Sequence, residues 1–167
     1  LIVLWSFDQL WDIESHRKPF YEQANTEWNN AGINSNVNWS TTVADYKALS
    51  LYEIILISAH GAYYSYKLPD GSQTLKLPGI ILSEEVSEQK DQLYASDLKM
   101  HRVAKINLVG GTKYVILPSF FEFYYGNNGL DGSFVVSETA EFMGVTNEES
   151  NLMSDALLNS AVESVVG

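Results

Sequence analysis

The sequence contains no cysteine and few basic residues. The absence of cysteine excludes disulfide bonds and thiolate metal ligands in this chain. Ten lysines and arginines stand against 21 aspartates and glutamates, which gives a formal net charge of −11. That charge argues against sequence-independent nucleic-acid binding, which needs cations to neutralise phosphates, and against docking on an anionic membrane. It is compatible with the attraction of basic peptides.

The common signatures of cofactors, metals and membrane spans are missing as well. There is no GxxxxGK[ST] or GxGxxG loop for phosphates, and no HExxH or EF-hand pattern for metals. We therefore expect no cofactor and no metal site. No apolar run approaches the length of a membrane span, so no span is expected. The abundance of tyrosine and asparagine beside few lysines favours a secreted or cell-surface protein over a cytoplasmic one.

What is present suffices for one globular domain. The chain has 167 residues, of which 46% are hydrophobic and 19% charged, so it can bury a substantial core. Strand-like and helical patterns alternate through its first third. The predicted segments are a strand at Leu1–Trp5, a helix at Asp12–Ala31 with Phe20, Ala24 and Trp28 on one face and Gly32 at its end, a strand at Asn34–Trp39, a helix from Thr41 or Thr42 through Leu49, and a strand at Ile54–Ile57. This β-α-β-α-β order predicts a parallel sheet with right-handed crossovers.

The middle of the chain has a different pattern. Asp70–Gly71 and Gly110–Gly111 each lie between extended segments and predict two hairpins, and the polar stretch Glu84–Gln92 between them is expected to be exposed. The parallel pattern resumes after Gly132. Its predicted segments are a strand at Phe134–Val136, a helix with Leu152, Ala156 and Leu157 on one side, and a strand at Glu163–Val166. We therefore predict a single α/β domain over residues 1–167, with a hairpin-rich insertion at about residues 62–115.

Of the three histidines, His60 is the candidate for chemistry. It follows the third predicted strand directly and precedes Gly61, so we expect it at the carboxyl edge of the sheet, where α/β proteins form sites. An imidazole there can act as general acid or base near neutral pH. The alternative is a structural histidine that is hydrogen-bonded at a strand end. His16 and His101 lie in polar surroundings and are expected on the surface.

A second group of candidate residues follows the strand at Phe134–Val136. Ser137, Glu138, Thr139 and Ala140 come directly after it. If this strand neighbours the one before His60, the region of Ala140 lies beside the His60–Gly61 turn.

Three segments carry a resemblance to a known family: SFVVSETA followed by EFMG and NLMSDALLNSAVESVVG, IILISAHG, and KYVILPSFFEFYY. In order and spacing they resemble the caspase-like cysteine peptidases, the group of caspases, clostripain, gingipains, separase and bacterial CHAT domains. The resemblance implies a three-layer sandwich with a mainly parallel central sheet. The family's sheets commonly use one more strand, which leaves open a second chain that completes the domain.

The resemblance also implies which residues form the site. It puts Ala140 at the position of the family's catalytic cysteine, although a register keyed on Met143–Gly144 would put Glu141 there. Alanine at this position is explained either by an engineered Cys-to-Ala change or by a natural pseudoenzyme. His60 would be the partner of the cysteine. The backbone N–H groups of Gly61 and of residue 140 would form the oxyanion hole.

In this family an acidic residue two before the cysteine accompanies cleavage after Arg or Lys, and Glu138 holds that position. Ser137 and Asp131 are further candidates for substrate binding, and Asp155 is a lesser one for the acidic pocket. The leading expectation is thus a cysteine endopeptidase that acts on peptides or proteins, in an inactive form. The alternatives are a pseudopeptidase that binds a peptide or protein partner, and a flavodoxin-like or Rossmann-like ligand binder without a phosphate loop.

Overall fold

The computed structural model describes residues 1–6, 14–67, 70–72, 74–137, 152–160 and 164–166. Within them the chain is an α/β structure with one parallel and one antiparallel sheet. The strands are β1 (Ile2–Ser6), β2 (Asn36–Asn38), β3 (Ile54–Ala59), β4 (Gly61–Lys67), β5 (Thr74–Glu85), β6 (Val103–Leu108), β7 (Gly111–Ile116), β8 (Phe134–Ser137) and β9 (Ser164–Val166). The helices are α1 (Glu14–Asn30), α2 (Val43–Tyr46), α3 (Glu88–Leu93), α4 (Ala95–Lys99), α5 (Pro118–Tyr125) and α6 (Leu152–Leu158), and a 3₁₀ turn covers Leu49–Leu51.

The parallel sheet has the strand order β2-β1-β3-β8-β9, and each neighbouring pair is parallel. All five predicted strands of this sheet are confirmed. The order along the chain reverses between β1 and β3. In doubly wound α/β proteins the carboxyl edge beside such a reversal is where ligands bind. None of the described helices has both the length and the apolarity needed to cross a bilayer.

Helix α1 covers one face of the parallel sheet. Tyr21 packs in a buried cluster with β1, where its ring lies 5.5 Å from that of Trp5 at a steep angle. The predicted helix is confirmed, but its predicted buried face is wrong at Phe20, which is 64% exposed. Residues four apart drift by about 40° per step around a helix, so Phe20 lies too far round from Trp28 to be buried with it. Gly32 ends the helix in the left-handed conformation, with φ of 83°.

The other face of the parallel sheet carries the main core. Residues of α2, α5 and α6 pack there against alternate side chains of β1, β3 and β8 and against one face of the antiparallel sheet. Thr42, one of the two threonines at which this helix was predicted to begin, caps α2 in a reciprocal capping box with Asp45. In α6 the buried side chains include Met153, Ala156 and Leu157, whereas Leu152, predicted on that side, is 38% exposed.

The two predicted hairpins are confirmed, as β4–β5 and β6–β7. Pairing of β5 with β7 joins them into one antiparallel sheet of order β4-β5-β7-β6. The register of β5 against β7 shifts between Ile81 and Glu85, which marks a β-bulge or a similar irregularity. Bulges bend a strand and increase its twist. The antiparallel sheet is therefore built to curl.

The curl gives the antiparallel sheet a small core of its own on the face turned away from the main core. A Cβ atom at Gly79 would lie 2.4 Å from Val115 Cγ1, so only glycine allows β5 and β7 to approach this closely. The side chains that form this second core come from all four strands and the residue after β7. The buried ones are Ile81, Ala104, Val115 and Leu117, and the partly buried ones are Ala62, Tyr64, Leu77, Ile106 and Leu108.

Candidate functional site

Strands β3 and β8 are direct neighbours in the parallel sheet. Their register pairs Ile57 with Ser137, the last residue of β8. Parallel neighbours end at the same edge, so the residues after β3 and those after β8 leave the sheet side by side. The residues after β8 were expected beside the His60–Gly61 turn if the two strands are neighbours, and this condition is met.

His60 lies at the point where the chain passes from the parallel to the antiparallel sheet. It separates β3 from β4, and its carbonyl oxygen accepts a hydrogen bond of 2.9 Å from the backbone N–H of Ile81. The residue is partly buried, and its Nε2 atom is shielded from solvent. Gly61, which follows it, pairs with Ile80 as the first residue of β4. Both sheets thus fix the backbone of His60 at the carboxyl edge, where a held imidazole can donate or accept a proton.

Ser137 places a buried hydroxyl at the same edge. The residue is 4% exposed, and within the described part of the chain its Oγ atom has no hydrogen-bond partner. Its side chain is on the same face of the sheet as that of its register partner Ile57. A buried hydroxyl without a partner costs about 1–3 kcal/mol. It is therefore a polar group suited to bind a ligand or the chain that follows β8.

The remaining predicted site residues have different locations. Glu138 and Ala140, with the alternative Glu141, lie outside the described residues, so their roles stay predictions. Asp131 is exposed and precedes β8, so it lies at the amino end of a strand whose carboxyl end carries the site. Asp155 is exposed in the first turn of α6. The structure brings His60, Gly61 and Ser137 to one edge and does not bring Asp131 to it.

The two other histidines differ from each other. The side chain of His16 lies outside the described residues. His101, predicted on the surface, is instead partly buried, and its ring centroid lies 3.9 Å from that of Tyr66 on β4. Its backbone is left-handed, with φ of 51°, and its carbonyl oxygen accepts a hydrogen bond of 2.6 Å from the Ser119 hydroxyl. The prediction for His101 is wrong because its aromatic partner comes from a strand more than thirty residues away in the chain.

The prediction that the stretch Glu84–Gln92 is exposed is wrong at Glu84, whose carboxylate is buried, whereas Glu85, Ser87–Gln89 and Gln92 are exposed. Glu84 is 6% exposed, and its oxygens accept hydrogen bonds from the backbone N–H of Val43 at 2.9 Å and from the Tyr94 hydroxyl at 3.1 Å. Lys90 Nζ lies 3.3 Å away. Burial and the negative charge of Glu84 raise the pKa of Tyr94 to about 12. The carboxylate thereby holds the start of α2 against the antiparallel sheet.

Asp97, on α4, is the centre of a second buried ionic cluster. Its carboxylate lies 2.7 Å from Lys47 Nζ and 2.8 Å from Arg102 Nε, and the Tyr124 hydroxyl donates to it at 2.9 Å. The Lys47 ammonium also lies 4.8 Å from the centre of the Tyr124 ring. Burial lowers the pKa of Lys47, but the hydrogen bonds with Asp97 and Tyr124 outweigh that effect, and the pKa is raised.

Both clusters connect elements that are remote in sequence and are accounted for by structural pairing. The alternation of side chains along a strand could have indicated that Glu84 is buried, because Glu84 falls on the same face of β5 as the core residues Ile80 and Leu82. No comparable signal marks Asp97. Among the residues that the structure describes, no group of three His, Asp or Glu side chains could hold a metal ion.

Tyrosines after His60 line a small cavity beside β4. Tyr63 and Tyr64 are among its walls, while Tyr66 contacts His101. The positions of these tyrosines are compatible with packing and with contact to a substrate.

Comparisons of the chain with protein-family models, with curated proteins and with solved structures gave no match.

Proposed function

We propose that this chain is the domain of a caspase-like cysteine endopeptidase that cleaves after Arg or Lys, with alanine in place of the nucleophile. The observation that carries the proposal is the pairing of β3 with β8. Because of it, His60 and the segment that leads to Ala140 leave the parallel sheet at one edge. Ala140 is three residues beyond Ser137, and three peptide units span at most about 11 Å.

With cysteine at position 140, the reaction follows from thiol chemistry. The thiolate attacks the carbonyl carbon of the scissile bond and forms a thioester, while His60 protonates the departing amine as the C–N bond breaks. His60 then takes a proton from water, which attacks the thioester, releases the carboxylate product and restores the thiol. The backbone N–H groups of Gly61 and of residue 140 stabilise the oxyanion in both steps.

The proposed preference for Arg or Lys depends on Glu138. A buried carboxylate is costly unless it is paired, and a guanidinium or ammonium of the substrate supplies the pair. The formal charge of −11 also favours the approach of basic peptides.

A second candidate function is a peptide-binding module without catalysis. The residue at position 140 favours it, because alanine cannot form a thioester. The codon at this position in the native gene separates the two readings: cysteine indicates an engineered peptidase, and alanine indicates a pseudopeptidase. A third candidate, a flavodoxin-like ligand binder, predicts instead that a cofactor or phosphate binds at the carboxyl edge.

The test is to introduce a thiol and measure hydrolysis. Ala140→Cys is assayed on fluorogenic peptides whose last residue is Arg, Lys, Asp or Leu, beside the double variant with His60→Ala. Glu141→Cys tests the alternative register, and Ser72→Cys supplies an exposed thiol as the matched control. We expect cleavage after Arg or Lys by Ala140→Cys alone, abolished with His60→Ala and reduced with Glu138→Gln. Cleavage only after Asp or Leu would reject the role of Glu138. No cleavage by a folded Ala140→Cys or Glu141→Cys protein would reject the peptidase.

A further inference from the structure

The antiparallel sheet is nearly closed on itself, and a gap separates its two outer strands. β4 and β6 run antiparallel to each other, and one cavity is lined by Ala62–Ser65 of β4, by Lys105 and Ile106 of β6 and by Val115 of β7. We call this gap the seam. At one end, the rings of Tyr66 and His101 meet across it. Within the described residues each outer strand pairs with one neighbour, so both edges present backbone groups to the seam that the ladders do not use.

The size and lining of the seam suit one bulky apolar side chain. The cavity has a volume of about 220 Å³, below the range of about 300–1,000 Å³ that is usual for small-molecule sites. Its walls include the side chains of Ala62, Tyr64, Ile106 and Val115, which belong to the small core inside the curl. An aliphatic or aromatic side chain that enters the seam would extend this core and lose its apolar contact with water.

The seam is continuous with the candidate site. β4 begins at Gly61, next to His60. Its next four residues line the cavity and lie about 3–13 Å from Gly61 along the strand. A peptide strand that pairs antiparallel with the outer edge of β4 runs toward His60. Its side chain in the cavity therefore lies on the amino-terminal side of a bond held at His60, at about the third residue before that bond.

The far end of β4 adds a local positive charge to an acidic protein. Lys67 and Lys76 are exposed there, and Asp70 is the single acidic residue between Gly61 and Ser83 in the sequence. The Asp70 carboxylate already accepts hydrogen bonds from the backbone N–H and the hydroxyl of Ser72, at 2.9 Å and 2.7 Å. An acidic side chain placed about three residues further toward the amino terminus of the peptide would meet these lysines.

We propose that the seam is a specificity subsite for an extended peptide, which binds as an added strand on β4 with a bulky apolar side chain in the cavity and an acidic residue near Lys67 and Lys76. The position of this side chain relative to a cleaved bond rests on the proposed peptidase function. Binding itself requires no thiol, so it can be measured on the chain with Ala140.

The experiment is fluorescence anisotropy with the amidated peptide fluorescein-Glu-Ser-Ser-Leu-Ser-Arg and its partner in which Ser replaces Leu. We expect the Leu peptide to bind at least about tenfold more tightly, the effect of burying one such side chain. Ser65→Tyr, which covers the mouth of the cavity from an exposed strand position, should abolish this ratio. Thr74→Tyr, at an exposed position of β5 that does not line the cavity, is the matched control and should preserve it.

Several results would overturn the subsite. They are equal affinity for the two peptides, a Leu preference that Ser65→Tyr leaves unchanged, and no binding of either peptide up to about 1 mM. Near-ultraviolet circular dichroism checks that the Ser65→Tyr protein is folded. Ala62→Ile, which fills the cavity from its wall, is the second variant that blocks the cavity. Leu-dependent binding together with inactivity of Ala140→Cys would support the subsite and reject the peptidase. Cleavage by Ala140→Cys without tighter binding of the Leu peptide would support the peptidase and reject the subsite.

Discussion

The approach of β5 to β7 at Gly79 gives a quantitative prediction for the substitution Gly79→Ala. The new methyl group would lie 2.4 Å from Val115 Cγ1, 3.2 Å from Leu117 Cδ2 and 3.3 Å from the carbonyl oxygen of Ile116. Valine has little freedom at χ1, so the strands must separate or a side chain must leave its rotamer. Such overpacking costs about 1–3 kcal/mol, and the lower entropy of the unfolded alanine chain returns about 0.4–1 kcal/mol. We expect a net loss of about 1–2 kcal/mol in the free energy of unfolding.

The double variant with Val115→Ala isolates the contact. Val115→Ala alone should cost about 2 kcal/mol through lost burial and the cavity left behind. In that background the closest contact of the new methyl is gone, so adding Gly79→Ala should cost clearly less than it does in the parent protein. Urea unfolding measures the four proteins, and with a slope of about 2 kcal/mol/M the single change lowers the midpoint by about 0.5–1 M. A Gly79→Ala protein as stable as the parent, or an equal cost in both backgrounds, would refute the close approach.

Two further predictions concern the buried charges. Asp97→Asn leaves the guanidinium of Arg102, whose side chain is 8% exposed, without its carboxylate partner. We expect this change to lower the free energy of unfolding by about 3 kcal/mol. Asp131→Asn, at an exposed position, is the control and should change it by less than about 0.5 kcal/mol. Similar losses in urea unfolding would contradict the cluster. The second prediction is an alkaline loss of stability. The pKa values of Tyr94 and Tyr125 are each raised to about 12, chiefly by burial, and that of Lys47 is raised by its partners. A group whose pKa is higher in the folded than in the unfolded protein stabilises the fold fully at pH values below its unfolded pKa. This stabilisation is lost as the pH rises through the folded pKa, so the free energy of unfolding should fall between about pH 10 and 12. Unfolding curves that are unchanged over this interval would contradict it.

Local patterns in the sequence predicted most elements of the fold, because each of them is decided by neighbours along the chain. Examples are the strand before His60, the start of α2 at Thr41 or Thr42, and the turn at Asp70–Gly71. The buried face of α1 was wrong at Phe20 because steps of four residues drift around the helix, while Tyr21 stays in line with Ala24 and Trp28.

Features that depend on contacts between distant segments could not be predicted. The sequence indicated two separate hairpins, and the pairing of β5 with β7 that merges them is set by packing at Gly79 and Val115. Glu84 was expected in water because its neighbours are polar, whereas its partners Val43 and Tyr94 come from other elements. For the candidate site, the strand ends predicted the position of His60, but the seam beside β4 arises only from the curl.

We propose that His60 and residue 140 act together, and the reactivity of an introduced thiol reports on this pairing. The rate of alkylation of Ala140→Cys by iodoacetamide is measured against pH, alone and combined with His60→Ala. An imidazolium beside the thiol stabilises the thiolate, so we expect a midpoint well below the value of about 8.5 for a free cysteine, and a return to about 8.5 when His60 is removed. Identical profiles with and without His60 would show that the imidazole does not act on residue 140.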